Sequence, residues 1–140
     1  CSGCHWFRYC DKSCQRAGWC DHKLECERLR QSFPHLPLTD VLFLGRVIDK
    51  LNFMQQHGHT RQYQAQREFA DLMSHEDEVR ADDAKMNQFD AMYDKAQRFL
   101  TCHMPSKEQF FTIFCKTCIN SHTIHSNSGA EIGMALDLGK

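Results

Sequence analysis

A dense run of cysteine and histidine at the start of the chain constrains its fold most strongly. Residues 1–26 read CSGCHWFRYCDKSCQRAGWCDHKLEC and hold six of the nine cysteines in the 140-residue sequence. Most of these ligand-type residues form pairs with two or three residues between the members, a spacing with which a turn or a helix start holds one tetrahedral Zn²⁺. The pairs are Cys1 with Cys4, Cys10 with Cys14, and His22 with Cys26, while Cys20 stands outside them.

The number of ligands does not fit a single metal. A structural zinc site takes four ligands, so three pairs close one site and leave two ligands over. Spacing alone permits a site made of Cys1, Cys4, Cys10 and Cys14, as well as sites that use His22 and Cys26. Because the sequence also begins at a cysteine instead of methionine, we expect the chain to be a fragment whose upstream part carries the missing pair.

Composition indicates the cellular compartment of the chain and limits its possible partners. An odd number of cysteines, most of them at metal spacing, favours reduced thiols in the cytosol or nucleus over a secreted disulfide framework. No apolar run approaches the ~18 residues that a membrane helix needs, so we expect no membrane association. The formal net charge of −1 indicates no particular partner. A slight excess of basic residues in the first thirty gives only a weak indication of nucleic-acid binding.

Hydrophobic periodicity predicts a mostly helical chain. Val41, Leu44 and Ile48 recur at helical spacing, and Met86, Phe89 and Tyr93 repeat the pattern, so each helix should bury one face. The predicted helices cover residues 14–19, 21–31, 39 to the break at Gly58, 61–73, 82–103 and 106–119. In the helix over 61–73, Phe69, Leu72 and Met73 are expected to face inward. The last helix should begin with a capping box between Ser106 and Gln109.

The last part of the chain predicts a β-hairpin. Residues 122–125 and 131–138 read as strands around the turn sequence SNSG, and Gly133 indicates a bulge or a close backbone approach. A two-stranded hairpin is marginally stable in water, so we expect it to belong to a larger sheet. Just before it, Cys115 and Cys118 have the spacing of a redox or zinc pair, but their place near a helix end favours a structural role.

The opening segment resembles the second, third and fourth ligand pairs of a MYND zinc finger. The resemblance includes Tyr9 before a ligand cysteine, Gln15 at a helix start, and Trp19 shortly before the ligand histidine. In that family the ligand pairs are cross-braced between two zinc ions. The resemblance therefore implies one site made of Cys1, Cys4, His22 and Cys26, and places Cys10 and Cys14 in a second site, with no metal role for Cys20.

The rest of the chain resembles the SMYD family of lysine methyltransferases, in which a MYND finger and a helical insert split the SET catalytic domain. The segments that carry this resemblance are VLFLGRVIDKL, the helix ending in CINSHTI, and EIGMALDLG. It implies a MYND finger at 1–26, a linker at 27–37, a helical insert at 38–119 and the start of the SET core at 120–140. We therefore expect a mostly α fold with a small zinc-stabilised finger and a short C-terminal β-hairpin, as a fragment of an α+β SET-domain protein.

The resemblance also implies an activity. The whole protein would transfer a methyl group from S-adenosylmethionine to a lysine of a histone or another protein, in the cytoplasm and nucleus. Asn120 matches a family position that contacts this cofactor, and the alternative is that it caps the preceding helix or orients a turn. His122 replaces an aromatic residue usual in the family. The remaining family cofactor and active-site motifs do not occur in the sequence, so we expect this fragment to be inactive by itself. The alternative function is a non-catalytic MYND adaptor that binds proline-containing peptides.

Overall fold

A computed structural model describes residues 1–58 and 68–136, which form helices followed by one hairpin. This arrangement confirms the expected fold class, a mostly helical chain with a Cys/His cluster at its start and a β-hairpin near its end. The helices are α1 (Lys12–Ala17), α2 (Trp19–Ser32), α3 (Thr39–His57), α4 (Glu76–Arg80), α5 (Asp83–Leu100) and α6 (Lys107–Asn120); the strands are β1 (Ser121–His125) and β2 (Glu131–Leu136), and 3₁₀ turns lie at Phe69–Asp71 and Thr101–His103.

Side-chain caps fix several helix starts. The Asp11 carboxylate accepts a hydrogen bond from the Cys14 backbone N–H at 2.8 Å, which begins α1. The predicted capping box of α6 is confirmed, because the Ser106 hydroxyl accepts from the Gln109 backbone N–H while the Gln109 side chain accepts from the Ser106 backbone N–H. These caps satisfy backbone donors that a helix leaves unpaired at its first turn.

The core lies where α3, α5 and α6 pack together. Phe89 of α5 is its centre, with its ring 4.9 Å from that of Phe111 in an edge-to-face arrangement and 5.4 Å from that of Phe114. Gly45 lets α3 approach α5 closely, because a Cβ at that position would stand 3.3 Å from Leu100 Cδ2. Burial of these apolar faces, not local propensity, is therefore what stabilises the three helices.

The hairpin is antiparallel and carries a bulge. Ser121 pairs with Leu136 and Ile124 with Gly133, whereas His125 pairs with Glu131, so one additional residue of β2 lies in the ladder beside Gly133. This confirms the bulge predicted there. The expected end of the second strand at 138 lies outside the described residues.

One helix prediction needs correction, and one helix was missed. Of the helix predicted over 61–73, residues 61–67 lie outside the described part, and residues 68–73 form a 3₁₀ turn and extended chain instead of an α-helix. Leu72 is buried as expected, but Met73 is 61% exposed. The short helix α4 was not predicted, because its five residues contain only one buried apolar side chain, Val79, and so show no period.

Within residues 1–58 and 68–136, no helix combines the length and the apolar character needed to cross a bilayer.

Candidate metal centre

Four side chains near the start of the chain converge on one point. The ligand atoms of Cys1, Cys4, His22 and Cys26, here called the Cys/His cluster, all lie within 4.8 Å of one another. Cys1 Sγ is 3.6 Å from Cys26 Sγ, and Cys4 Sγ is 3.5 Å from His22 Nε2. A tetrahedral Zn²⁺ with Zn–S of ~2.3 Å and Zn–N of ~2.0 Å places its ligand atoms about 3.5–3.8 Å apart. The cluster therefore has the size and donor set of a structural zinc site.

Local structure explains how these residues meet. His22 and Cys26 are four apart on α2, so they project from the same helix face. Cys1 and Cys4 lie on a turn that passes close to this face at Gly3, where an added Cβ would stand 3.1 Å from Cys26 Sγ. Glycine thus allows the turn to bring its two thiols to the helix.

Three of the four cluster residues are shielded from water, and Cys1 is partly buried. Cys4 and Cys26 are each 7% exposed and His22 is 2% exposed. Burial raises the pKa of the Cys26 thiol, and the neighbouring Cys4 thiol raises it further. Thiolates crowded in this way need a cation to stabilise them, and a bound metal supplies that charge as it displaces the thiol protons.

The His22 ring has a different partner at each nitrogen. Its Nε2 faces the Cys4 sulfur, while its Nδ1 lies 3.0 Å from Glu25 Oε2. Glu25 is 2% exposed and accepts two hydrogen bonds from Arg46 of α3, each 2.9 Å long. The carboxylate therefore fixes the ring with Nε2 toward the thiols, as carboxylates commonly do for metal-binding histidines.

Aromatic rings enclose His22 on its open sides. Phe7 contacts it edge-on with 4.8 Å between ring centroids, and Trp19 and Tyr9 lie at 6.0 and 6.1 Å. The neighbouring Trp6 is 47% exposed and is not among these rings. The rings exclude water from the imidazole and thereby strengthen its electrostatic contacts.

The second predicted pair forms a separate feature. Cys10 Sγ lies 3.3 Å from Cys14 Sγ, and both residues are exposed. The Cys/His cluster is the one group of three or more close metal-ligand side chains in the described part of the chain, and it does not include them. The structure thus does not assemble the alternative set of Cys1, Cys4, Cys10 and Cys14. Cys20 is exposed and also lies outside the cluster.

Asn120, at the other end of the fold, caps its own helix. Its Nδ2 donates to the backbone carbonyl oxygen of Lys116 at 2.7 Å and to that of Met73 at 3.0 Å. The residue thereby joins the end of α6 to the chain that precedes α4. Both N–H bonds of the amide are engaged, which leaves its carbonyl oxygen to accept from a ligand.

A cleft of ≈ 660 Å³ opens beside the end of α6, and Asn120 is not among the residues that line it. Its lining includes Ile119 and Ser121, and its volume falls in the range typical of small-molecule sites.

Cys115, earlier in α6, is fully buried, and burial raises the pKa of its thiol to about 11. Neither Cys115 nor Cys118 belongs to the Cys/His cluster.

Glu25 and Arg46 are the site residues that sequence reasoning missed. Glu25 lies three positions after His22 and so on the same helix face, which is a local signal that was available. Arg46 is 21 positions from Glu25, and nothing near it in the sequence marks it as a partner.

Known proteins resemble this chain along nearly its full length. It is 30% identical over 97% of its residues to histone-lysine N-methyltransferase SMYD3 of Homo sapiens, and 27% identical over 97% to N-lysine methyltransferase SMYD2 of Rattus norvegicus. It is 26% identical over 98% to SET domain and MYND-type zinc finger protein 6 of Schizosaccharomyces pombe. The chain spans 32%, 31% and 26% of those three proteins, about a third of their length at most. No family model matches the chain.

Proposed function

Because the chain belongs to the SMYD family of SET and MYND proteins, we propose that it is the finger and helical-insert region of a protein-lysine N-methyltransferase that uses S-adenosylmethionine. The observation that carries this proposal is the extent of the similarity. It covers the finger, the helices and the hairpin together, whereas an unrelated protein that had acquired a MYND finger would match over the finger alone.

The proposed reaction is a methyl transfer between two bound molecules. The bound cofactor would supply the methyl group, and the uncharged amine of a protein lysine would accept it and then lose a proton. Holding the two reactants in line in a closed site supplies most of the acceleration. For this chain, we propose that the Asn120 carbonyl oxygen contacts the cofactor at the end of α6, beside the cleft.

The Cys/His cluster is proposed as a structural zinc site. Cys1, Cys4, His22 and Cys26 supply the four ligands, as the distances between their ligand atoms support. We assign Cys10 and Cys14, whose sulfur atoms are already adjacent, to a second zinc ion. In this proposal zinc does no chemistry on the substrate; it holds the finger together as a structural and protein-interaction element.

Methyl transfer by the full-length protein tests the proposal. We expect transfer of isotope-labelled methyl groups from S-adenosylmethionine to lysine in histones or in other proteins of a cell extract, with the modified residue located by mass spectrometry. Residues 1–140 alone are the matched control and should transfer none. Full-length protein that neither binds the cofactor nor labels any protein would overturn the enzyme assignment.

A second function, peptide binding by the finger as an adaptor, is favoured by a groove of ≈ 400 Å³. It is lined by Lys12, Gln15, Arg16 and Trp19, and the Trp19 side chain is 41% exposed. An exposed indole beside polar side chains is the kind of surface on which proline-containing peptides dock. We expect Trp19→Ala to abolish binding of such a peptide in a calorimetric titration, while Trp6→Ala, outside the groove, leaves it intact.

We further propose that the partners are proteins, because the relatives of the chain are named as lysine methyltransferases. Cytoplasm and nucleus are the proposed locations. Fractionation of cells that express the full-length protein tests this assignment.

A further inference from the structure

Helix α3 reaches the metal centre through two charged residues. Arg46 of α3 donates from Nε and from its terminal nitrogen to the two oxygens of Glu25, and Glu25 in turn accepts from His22 Nδ1. The result is a continuous chain of contacts from a cluster ligand, through one carboxylate, to a helix outside the finger. Neither Glu25 nor Arg46 belongs to any of the predicted ligand pairs.

Burial makes the carboxylate depend on its guanidinium. Glu25 is 2% exposed, so water cannot replace a lost partner without movement of the side chain. Of its three hydrogen bonds, two come from Arg46 and one from His22. If the two bonds to Arg46 were lost, the buried carboxylate would reach a lower free energy by turning toward solvent, and this would release the imidazole ring.

Arg46 also touches the finger directly. Its guanidinium carbon lies 4.8 Å from the centroid of the Phe7 ring, and the Phe7 ring packs edge-on against His22. Arg46 thus contacts both groups that hold the imidazole, the carboxylate on one side and an aromatic ring on another. A residue that only joined two helices would not need this placement.

The same helix pair contains a suitable comparison. Arg28 of α2 donates two hydrogen bonds to Asp49 of α3, 2.8 and 2.7 Å long, and both side chains are more buried than that of Arg46. This pair fastens α3 to α2 but makes no contact with His22 among the hydrogen bonds and ion pairs of the described residues. It therefore separates the effect of helix docking from an effect on the metal centre.

We propose that Glu25 and Arg46 are positioning residues of the metal centre, and that through them zinc binding in the finger and docking of α3 form one linked equilibrium. This inference rests on the proposed zinc site. The direction of coupling follows from reciprocity: if docked α3 favours zinc binding by orienting His22, bound zinc favours docked α3 to the same extent.

Zinc affinity, measured on the full 140-residue chain by competition with a chromogenic chelator, tests whether Glu25 and Arg46 position the metal centre. We expect Arg46→Met to weaken zinc binding about 10- to 100-fold, the range typical of lost outer partners of metal ligands. Arg46→Lys keeps the charge but cannot form two parallel bonds, so its affinity should be intermediate. Asp49→Asn should destabilise the chain toward urea, but α3 stays docked in the absence of urea, so the zinc affinity should change far less than in Arg46→Met.

Combining substitutions tests whether the two residues act as a unit. If Arg46 acts through the carboxylate, the double variant Glu25→Gln/Arg46→Met should bind zinc no more weakly than Glu25→Gln alone. Additive losses, or equal losses for Arg46→Met and Asp49→Asn, would overturn the proposal. Failure of the unsubstituted chain to bind zinc would instead remove the zinc site itself.

The linkage between zinc binding and the docking of α3 can be tested without a substitution. Hydrogen–deuterium exchange of the unsubstituted chain should show faster exchange in α3 around Arg46 after zinc removal, while exchange in the body of α6 stays unchanged. Unaltered protection of α3 would contradict the linkage even if the variants in the first experiment failed to fold.

Discussion

Removal of zinc should expose three particular thiols and leave a fourth protected. Within residues 1–32, Leu29 is the one buried apolar side chain apart from the cluster cysteines Cys4 and Cys26. A segment of ~30 residues with so little apolar burial does not stay folded by itself, so the metal must stabilise it. The thiols of Cys1, Cys4 and Cys26 should therefore become reactive on chelation.

The protected thiol is Cys115, in the core formed by α3, α5 and α6. It is fully buried, and burial raises the pKa of its thiol from 9.0 to about 11. Because the thiolate is the reactive form, two pKa units lower the reactive fraction at neutral pH by about 100-fold, before any steric hindrance. Cys20 and Cys102 are exposed and serve as internal references for unhindered reaction.

The assay is timed alkylation with iodoacetamide, with and without a strong chelator, followed by peptide mass spectrometry. In the zinc-loaded chain, Cys20 and Cys102 should label within the first time points, while Cys26 and Cys115 do not. Chelation should bring Cys26 to the rate of Cys20 but leave Cys115 slow. Rapid labelling of Cys26 before chelation would refute the zinc site, and rapid labelling of Cys115 after it would show that the helical core depends on the finger.

Three further outcomes follow from single contacts. Phe89→Ala should lower the free energy of unfolding by about 3–5 kcal/mol in urea denaturation, since it empties the centre of the core. Phe53→Ala, on a side chain that is 43% exposed, should lower the free energy of unfolding far less. Equal losses for the two variants would place the core elsewhere. Gly3→Ala should weaken zinc binding in a chelator titration, because its Cβ would stand 3.1 Å from Cys26 Sγ, and an unchanged affinity would mean that the turn adjusts freely. Asn120→Ala should lower the free energy of unfolding by about 1–3 kcal/mol, because its two side-chain hydrogen bonds to backbone carbonyl oxygens are lost. An unchanged free energy of unfolding would mean that those bonds do not stabilise the chain.

The sequence predicted those elements whose pattern is local. Val41, Leu44 and Ile48 mark one buried face of α3 by spacing alone, and all three are buried. The capping box at Ser106 and the bulge near Gly133 depend on neighbours in the chain, and both are present. Leu38 precedes the first turn of α3 and is 55% exposed, so it lies outside that buried face.

Features that depend on distant partners were not predictable in the same way. Phe69 and Leu72 pack inward from a 3₁₀ turn and the residue after it, because Lys116 of α6 donates to the carbonyl oxygens of Phe69 and Ala70 and so fixes that segment without an α-helix. Likewise, the spacing of the cysteines left more than one ligand set open. The packing of α2 against the Cys1–Cys4 turn is what brings His22 and Cys26 to the same point as those two thiols.

The charged residues between α2 and α3 also determine how these two helices recognise each other. On α2, acidic Glu25 is followed by basic Arg28; on α3, basic Arg46 is followed by acidic Asp49. If α3 bound with the opposite polarity, Glu25 would face Asp49 and Arg28 would face Arg46, and both like-charged pairs would be partly buried and repulsive. The order of signs along the two helices thus disfavours the reversed orientation and favours the one in which both ion pairs form.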